Sequence, residues 1–454
     1  MSSERSLTPP PSSSFNAATN RKRVRGLMDT DPLLHAAFTA IAQFCTQHNY
    51  HATASSLQQQ GIIPTEDQLL VWVPKALHDR PPWVHWNKAD MAPQLKCPDV
   101  ARCSVTPTVV RGYRMARASQ AAESGGAYYY EVLMQPGPSA KEIAAGLPPW
   151  ARLGPGLREQ LEAALHAEEQ QQEGDDTPEN KPLCAVGGHI RLGWSMRTGD
   201  LQAPVGYDKW SYGIRDQGGS ILHRSQRQDD WGGEGFGPGD LVGCALFLTA
   251  NGGSDNDEEE GSAYISTRED ANHIRFFKNG TCMGTFILTK GKRIGGEAFT
   301  DLDDGVYYPA VSLYLGGSVR ANFGPHFVYP PKKLPAGLTK QLRPLSEACP
   351  VPMAPTEAVQ ALQTVIKPYL HHLTQDQVQA IRHAIQVEAD MVVRAYETFQ
   401  QNQLKWVRQE REKRGISIHD LPDLAEGDSI ERGEEESVTE KSSVAADNIV
   451  NEGQ

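Results

Sequence analysis

Apolar residues recur along the chain in more than one rhythm. Leu34, Phe38, Ile41 and Cys45 follow the i, i+4, i+7, i+11 spacing of a single helical face. Thr30 or Asp31 can cap that helix, and Pro32 suits its first turn. The polar stretch "QHNY" then breaks the pattern, and Thr53, Ala54 and Leu57 begin a second short helix. Residues 30–62 therefore read as a helical hairpin. Two short helices cannot bury both of their faces alone, so either a second copy or the rest of the chain has to cover them.

Between residues 82 and 348 the rhythm shortens to that of strands. "YYYEVLM" (128–134), "HIRLGWS" (189–195), "DLVGCALFL" (240–248), "HIRFFKNG" (273–280), "VYYPAVSLY" (306–314) and "SVRANFG" (318–324) are short and rich in aromatic and β-branched residues. Gly, Pro, Asn and Asp turns separate them. Asn279-Gly280 suits the two positive-φ positions of a type I′ hairpin turn. Many short strands without interleaved helices predict a mainly β fold, an antiparallel β-sandwich. Two polar insertions interrupt it. Residues 136–182 read as a solvated helix followed by a disordered acidic run, and 251–263, "NGGSDNDEEEGSA", as a loop. The acidic spacing in that loop does not match a calcium-binding loop.

Helical rhythm returns over residues 356–414, after the proline-rich "CPVPMAP". Val359, Leu362, Ile366 and Tyr369 form one face; Val378, Ile381, Ile385, Val392, Tyr396 and Phe399 continue it up to the charged "KWVRQEREKRG". This face also needs a partner, in the chain itself or in another subunit. The two ends, 1–29 and 415–454, are polar and predicted to be disordered. The first carries the basic cluster "RKRVR", a candidate nuclear import signal, and the second is acidic.

Composition narrows the function classes. A net charge of −12 over 454 residues argues against a general nucleic-acid binder, which needs a basic footprint. No apolar run approaches 18 residues, so no membrane span is expected, and the N-terminus lacks the apolar core of a secretory signal. The seven cysteines form no CxxC pair, which points away from a zinc site and from a disulfide framework. GxSxG, HExxH and GxxxxGK[ST] are all missing. The glycine-rich "GGEGFGPGD" leads into a strand rather than a helix, so it reads as a turn and not as a phosphate loop. No catalytic residue, metal or cofactor is assigned, and the chain is not expected to be an enzyme. What stands out instead is "QAPVGYDKWSYGIR" (202–215), in which Pro204, Tyr207, Lys209, Trp210, Tyr212 and Arg215 crowd together. It is either a corner of the core or a docking surface, and Trp194 and Trp210 read as core.

These segments also carry a resemblance. "GAYYYEV", "RLGWSMRTGDLQAPVGYDKWSYGIRD", "FGPGDLVG", "IRFFKNG", "GVYYPAVSLY", "NFGPHFVYPP" and "RPLSEA" resemble, in order across residues 82–348, the SPRY domain of the Ash-two/Bre-two family. The "LQAPxGYDKxSY" block is the most specific part. Tyr50, Thr53-Ala54 and Leu57 resemble a LisH motif. The resemblance implies a SPRY-type bent β-sandwich in a nuclear, non-catalytic scaffold subunit of a COMPASS-type (Set-one/MLL) histone lysine methyltransferase complex. Such a subunit binds the WD-repeat subunit of the core through its SPRY domain and stimulates the SET-domain methyltransferase. By motif, the partner-binding positions are Tyr113, Arg191, Pro204, Tyr207 and Arg215. A helix after the SPRY domain, with Val359, Leu362, Ile366 and Tyr369, would dock a Dpy-thirty-like dimerisation subunit. The LisH-like motif implies a self-dimer through residues 30–62. Asp216 stands where the family often has lysine, which weakens the basic pocket. The upstream zinc finger and winged helix of fuller relatives have no counterpart, so direct DNA binding is not expected. The alternative is a LisH–SPRY substrate adaptor of a ubiquitin ligase complex, which the 202–212 block disfavours.

Overall fold

The computed structural model describes residues 32–99, 101–105, 112–146, 154–170, 187–248, 272–284, 286–289, 292–300, 302–332, 334 and 342–424. The basic "RKRVR" tail, the acidic run at 171–182, the loop at 251–263 and the acidic residues beyond 424 lie outside them. The helices are α1 (Pro32–Gln47), α2 (His51–Gln60), α3 (Glu66–Asp79), α4 (Ala140–Gly146), α5 (Pro155–Gln170), α6 (Pro355–Ile366) and α7 (Gln375–Lys413). The strands begin with β1 (Trp86–Met91), β2 (Leu95–Lys96), β3 (Arg102–Val105), β4 (Arg114–Ala118), β5 (Ala127–Gln135) and β6 (His189–Ser195). Next come β7 (Ser211–Arg215), β8 (Ile221–His223), β9 (Gln226–Gln228), β10 (Leu241–Phe247), β11 (His273–Lys278) and β12 (Thr281–Cys282). The last are β13 (Phe286–Thr289), β14 (Lys292–Gly295), β15 (Glu297–Thr300), β16 (Tyr308–Tyr314), β17 (Ser318–Asn322) and β18 (Leu342–Pro344).

Two sheets face each other. One runs β1-β4-β16-β6-β7-β8-β9; the other runs β12-β11-β10-β5-β17-β3-β2, with β15 on β11 and β18 on β5. Every pair is antiparallel except β18 with β5. Alternation along the strands sends Tyr128, Tyr130, Val132, Ile190, Leu192, Trp194, Val242, Leu246, Phe276 and Val311 into the layer between the sheets. Asn279 and Gly280 hold φ of 48° and 76°, the pair of left-handed values the β11–β12 hairpin needs. Trp194 is fully buried and Trp210 packs at the edge of the same core, as read. Tyr129, on the opposite face of β5, is buried as well, against Phe277 and Phe327. Both faces of that tyrosine run are thus core, because Phe327, Leu334 and Leu342 of β18 cover the outside of the second sheet.

Glu131 organises that covering segment. It is fully buried on the outer side of β5, and it accepts hydrogen bonds from the Val328 and Tyr329 N–H groups at 2.6 and 3.1 Å and from Asn322 Nδ2 at 2.8 Å. Burial pushes its carboxyl up to about 7, outweighing the donors that favour the charged form.

The helices form a second cluster, and here several expectations are corrected. The hairpin is present as α1 and α2, but Leu34, Phe38, Ile41 and Cys45 pack on Ala358, Leu362, Ile366, Ile381, Ile385 and Val392 of the same chain. The inner face that was expected to dimerise is therefore already covered by α6 and α7. For the same reason Leu362 and Ile366, at 0% and 1% exposure, do not present a free stripe to a dimerisation subunit; Val359 and Tyr369 are only half-buried. A buried carboxylate fastens this arrangement: Glu388 on α7 accepts from the Ala52 and Thr53 N–H groups at 2.8 and 2.9 Å. It satisfies the first turn of α2, whose N-cap residue Tyr50 supplies no side-chain bond. The sequence reading missed α3, although Thr65 and Gln68 form a capping box at its start. Pro74 within the helix obscured it.

Helix α7 is continuous over 39 residues, roughly 58 Å. Its second half leaves the helical cluster and lies on the sandwich. Phe399 stacks on Trp83 at 4.4 Å, and Leu404 and Val407 pack with Leu241, Val328 and Leu421. Arg411, 3% exposed, donates to the Phe327 carbonyl from Nε and Nη2 at 3.0 and 2.7 Å. The segment 415–424, read as part of a disordered tail, folds back here: Arg411 Nη1 also binds the Ser417 carbonyl and Asp420, and Leu421 is buried. Likewise α5 is not solvated all round, since Leu157, Leu161 and Leu165 pack toward Leu315 and Tyr314.

One prediction concerns Glu131. Its folded-state value of about 7 lies above the ordinary 4.5, so between those pH values the folded chain retains a proton that the unfolded chain has released. Stability from this group therefore falls as pH rises from about 4.5 to about 7 and is flat above. Thermal melts across that window should show a slope in the wild type that Glu131→Gln removes; equal slopes would contradict the burial argument.

Candidate protein-binding face

The outer face of the first sheet carries the candidate residues Arg191 and Arg215. On β6, β7 and β16 the residues alternating with the core ones are Arg191, Gly193, Gly213, Arg215, Ala310 and Ser312. Arg191 and Arg215 sit directly opposite each other in the β6–β7 register. Like charges so placed repel. Arg191 is compensated by an aromatic face: its Cζ lies 4.6 Å from the centre of the Tyr113 ring. Tyr113 in turn packs against Tyr314 at 5.3 Å. Burial holds the Tyr113 hydroxyl above its ordinary range, against the opposing pull of Arg191, so it is a neutral phenol at pH 7.

Arg215 has a carboxylate neighbour, Asp216, 4.0 Å from its Nε. Asp216 is mostly engaged elsewhere. It pairs with His189 Nδ1 at 2.9 Å and accepts from the Ile190 N–H at 3.3 Å. The Nε groups of both Arg191 and Arg215 are buried without a hydrogen-bond partner. Two guanidinium groups thus stand on neighbouring strands of one sheet face, which gathers positive charge suited to a carboxylate.

The wall beside them is the loop from Ser195 to Ser211. Val205 is buried on Met115 and Ala310, and its N–H donates to Ser312 Oγ at 3.0 Å. Ser312 is the cross-strand neighbour of Arg191, so the Pro204–Val205 segment borders the arginines. A turn follows, closed by the Tyr207 N–H on the Pro204 carbonyl at 3.0 Å. Gly206 has φ of 85°, the value a type II turn requires at its third residue. A Cβ there would lie 2.4 Å from the Leu222 carbonyl oxygen. Asp208 closes the next turn, accepting from the Trp210 N–H at 3.0 Å and from Ser211 Oγ at 3.1 Å. Lys209 spreads over the Trp210 ring at 4.2 Å. Tyr207 is left 54% exposed, an unusual state for a tyrosine on a rigid turn.

The structure therefore brings Tyr113, Arg191 and Arg215 together with Pro204 alongside, and it sets Tyr207 at the outer end of the same loop. It separates Val359, Leu362, Ile366 and Tyr369 from them, in the helical cluster. Sequence reasoning missed Arg117. This residue is 1% exposed and binds Asp90 at 2.8 and 3.0 Å, Ser195 Oγ at 3.2 Å and the carbonyls of Met196, Arg197 and Gly199 at 3.0 Å each. It fixes the start of the loop that walls the site. Its only signal was a basic residue within the short strand-like "RMARA". Among the described residues no group of His, Cys, Asp and Glu side chains is placed to hold a metal ion, and no helix is long and apolar enough to cross a membrane.

No protein-family model matches the chain. Curated relatives do. Set1 complex component ash2 of Schizosaccharomyces pombe is 29% identical over 204 residues, covering 36% of this chain and 30% of that protein. The Set1/Ash2 histone methyltransferase complex subunit ash-2 of Caenorhabditis elegans is 29% identical over 196 residues, again 36% and 30%. COMPASS component cclA of Colletotrichum higginsianum is 25% identical over 308 residues, 49% and 47%. The chain is thus similar, over part of its length, to several proteins named as Ash2 or COMPASS components. It spans less than half the length of these curated relatives. A solved structure, the SPRY domain of human HERC1, matches 52% of this chain and 96% of its own at 14% identity, with a TM-score of 0.28. In this chain the 202–212 loop block is largely architectural: Val205, Gly206, Asp208 and Ser211 shape the turn, and Pro204 and Tyr207 are what it presents.

Replacing Gly206 by alanine tests that division. The positive φ costs roughly 1–3 kcal/mol for a residue with a Cβ, and the clash with Leu222 adds to it. Thermal denaturation should show a clear loss for Gly206→Ala and little change for Tyr207→Ala, whose ring is exposed. Equal effects would mean that the turn geometry is not the constraint.

Proposed function

We propose that the chain is a non-catalytic scaffold subunit of a nuclear, COMPASS-type histone lysine methyltransferase complex. The outer face of its SPRY sheet grips an acidic segment of the WD-repeat subunit, and the joined pair stimulates the SET-domain enzyme. The observation that carries this reading is the juxtaposition of Tyr113, Arg191 and Arg215 beside the Pro204–Tyr207 loop. The relatives' names as complex components support membership in such an assembly. An acidic peptide would lay carboxylates on the paired guanidinium groups while its apolar residues meet Pro204 and the tyrosines. No small helical dimer docks on Leu362 and Ile366 in this reading, because α1 and α7 already cover them.

Reconstitution tests it. The full chain, added to a SET-domain core with its WD-repeat subunits, should raise histone lysine methylation while showing no methyltransferase activity alone. Absence of stimulation with all cognate core subunits present would sink the proposal. A charge-assisted contact is worth roughly 1.5–3 kcal/mol, so Arg191→Ala should weaken binding of an acidic WD-repeat segment about tenfold or more by calorimetry. Arg215→Ala should cost less, because Asp216 already offsets part of its charge. Wild-type affinity for a folded Arg191→Ala variant would refute the assignment of the site.

A further inference from the structure

The helical cluster leaves an apolar surface open on α3. Leu70 is 55% exposed and Val71 69%, and Pro74 one turn on also faces solvent. The opposite face of the helix, Leu69 and Val73, is buried on Ala52 and Ala384. With helical spacing, Asp67, Leu70, Val71, Pro74, Lys75 and His78 share one exposed stripe.

The charges on that stripe are ordered. Asp67 lies in the first turn, and Lys75 and His78 lie near the end. Glu66 is taken by His383 at 3.1 Å, and His78 Nε2 sits 3.1 Å from Lys88 Nζ. Asp67 and Lys75 have no ion pair among the described residues. They stand four residues before and four residues after Val71. A two-fold axis through Val71 would therefore set Asp67 of each copy against Lys75 of the other, with Leu70, Val71 and Pro74 in the seam. A parallel pairing would oppose like charges. Antiparallel packing also opposes the two helix dipoles.

We propose that the chain self-associates through α3, two copies packing antiparallel about Val71. The occupant follows from this self-complementarity: an apolar centre flanked by opposite, unpaired charges at equal spacing matches its own two-fold image. Three apolar side chains make a small seam, so the association is weak, in the class of small transient interfaces. The net charge of −12 on each copy repels at long range, and physiological salt screens that repulsion beyond about 8 Å while leaving contact pairs in place.

Sedimentation equilibrium of the full chain at physiological salt reads the outcome. The expected result is a weight-average mass rising toward twice the monomer through the micromolar range. Val71→Asp should weaken the dimer at least about tenfold, and Asp67→Lys or Lys75→Glu alone severalfold. The double variant Asp67→Lys/Lys75→Glu restores opposite charges across the two-fold axis and should return to within about twofold of the wild type. All of these positions are exposed, and circular dichroism checks that each variant is folded. A wild type that stays monomeric at every concentration overturns the proposal and leaves the face to another occupant. So does a dimer indifferent to Val71→Asp, or a double variant as weak as either single one.

Discussion

The candidate site depends on one buried guanidinium. Arg117 reaches through the outer face of the first sheet and uses all of its donor groups on Asp90, Ser195 and the carbonyls of Met196, Arg197 and Gly199. A buried charge is costly unless it is paired and fully hydrogen-bonded, and this one is both. Because its partners lie on β1 and on the 195–199 segment, it joins the sheet edge to the root of the 195–211 loop. Only with that root fixed can Val205 drop onto Met115 and Ala310 and bring Pro204 alongside Arg191. The contacts proposed for a ligand are thus held by a residue that no ligand touches.

A second constraint operates at larger scale. Helix α7 is shared between two bodies of structure. Its first half completes the helical cluster through Ile381, Ile385 and Val392, and its second half lies on the sandwich through Leu404, Val407 and Arg411. Each half has a buried charged side chain that captures backbone groups from a distant part of the chain: Glu388 takes two N–H groups of α2, and Arg411 takes the Phe327 carbonyl. These are directional and do not slide, whereas the apolar contacts around them are tolerant of shift. Together they give the N-terminal hairpin and the sandwich a common frame.

Much of the fold was legible before the structure. Strand positions followed from short β-branched and aromatic runs between turn residues, and Asn279-Gly280 named its own turn. The helical faces at Leu34–Cys45 and Val359–Tyr369 were equally plain. What periodicity does not contain is the identity of the surface that covers such a face. Phe38 and Leu362 looked like two stripes awaiting outside partners, and they proved to be partners of each other, more than 300 residues apart in the chain. The same gap hid Arg117 and Asp90, whose pairing is purely tertiary, and the fold-back at Ile416–Leu421, where a few apolar residues stand in a polar context. Arg191 and Arg215 face each other because the alternating core residues between them fix the register of β6 on β7, and Tyr113 meets Arg191 from just before β4.

The specific block around residues 202–212 shows what a family signature records. Its glycine answers a positive φ and the approach of Leu222, its aspartate closes the following turn, its serine receives the Gly206 N–H at 2.8 Å, and its valine fills the sheet. These requirements are internal to the protein and bind the loop to one shape. Pro204 and Tyr207 are the outward remainder. Hence sequence identity in this block speaks first to loop geometry, and to binding only through that geometry. The arginines differ: neither is needed for the turn, and as opposed like charges they strain the sheet they sit on. The fold's own requirements therefore account for the loop block but not for this pair of arginines.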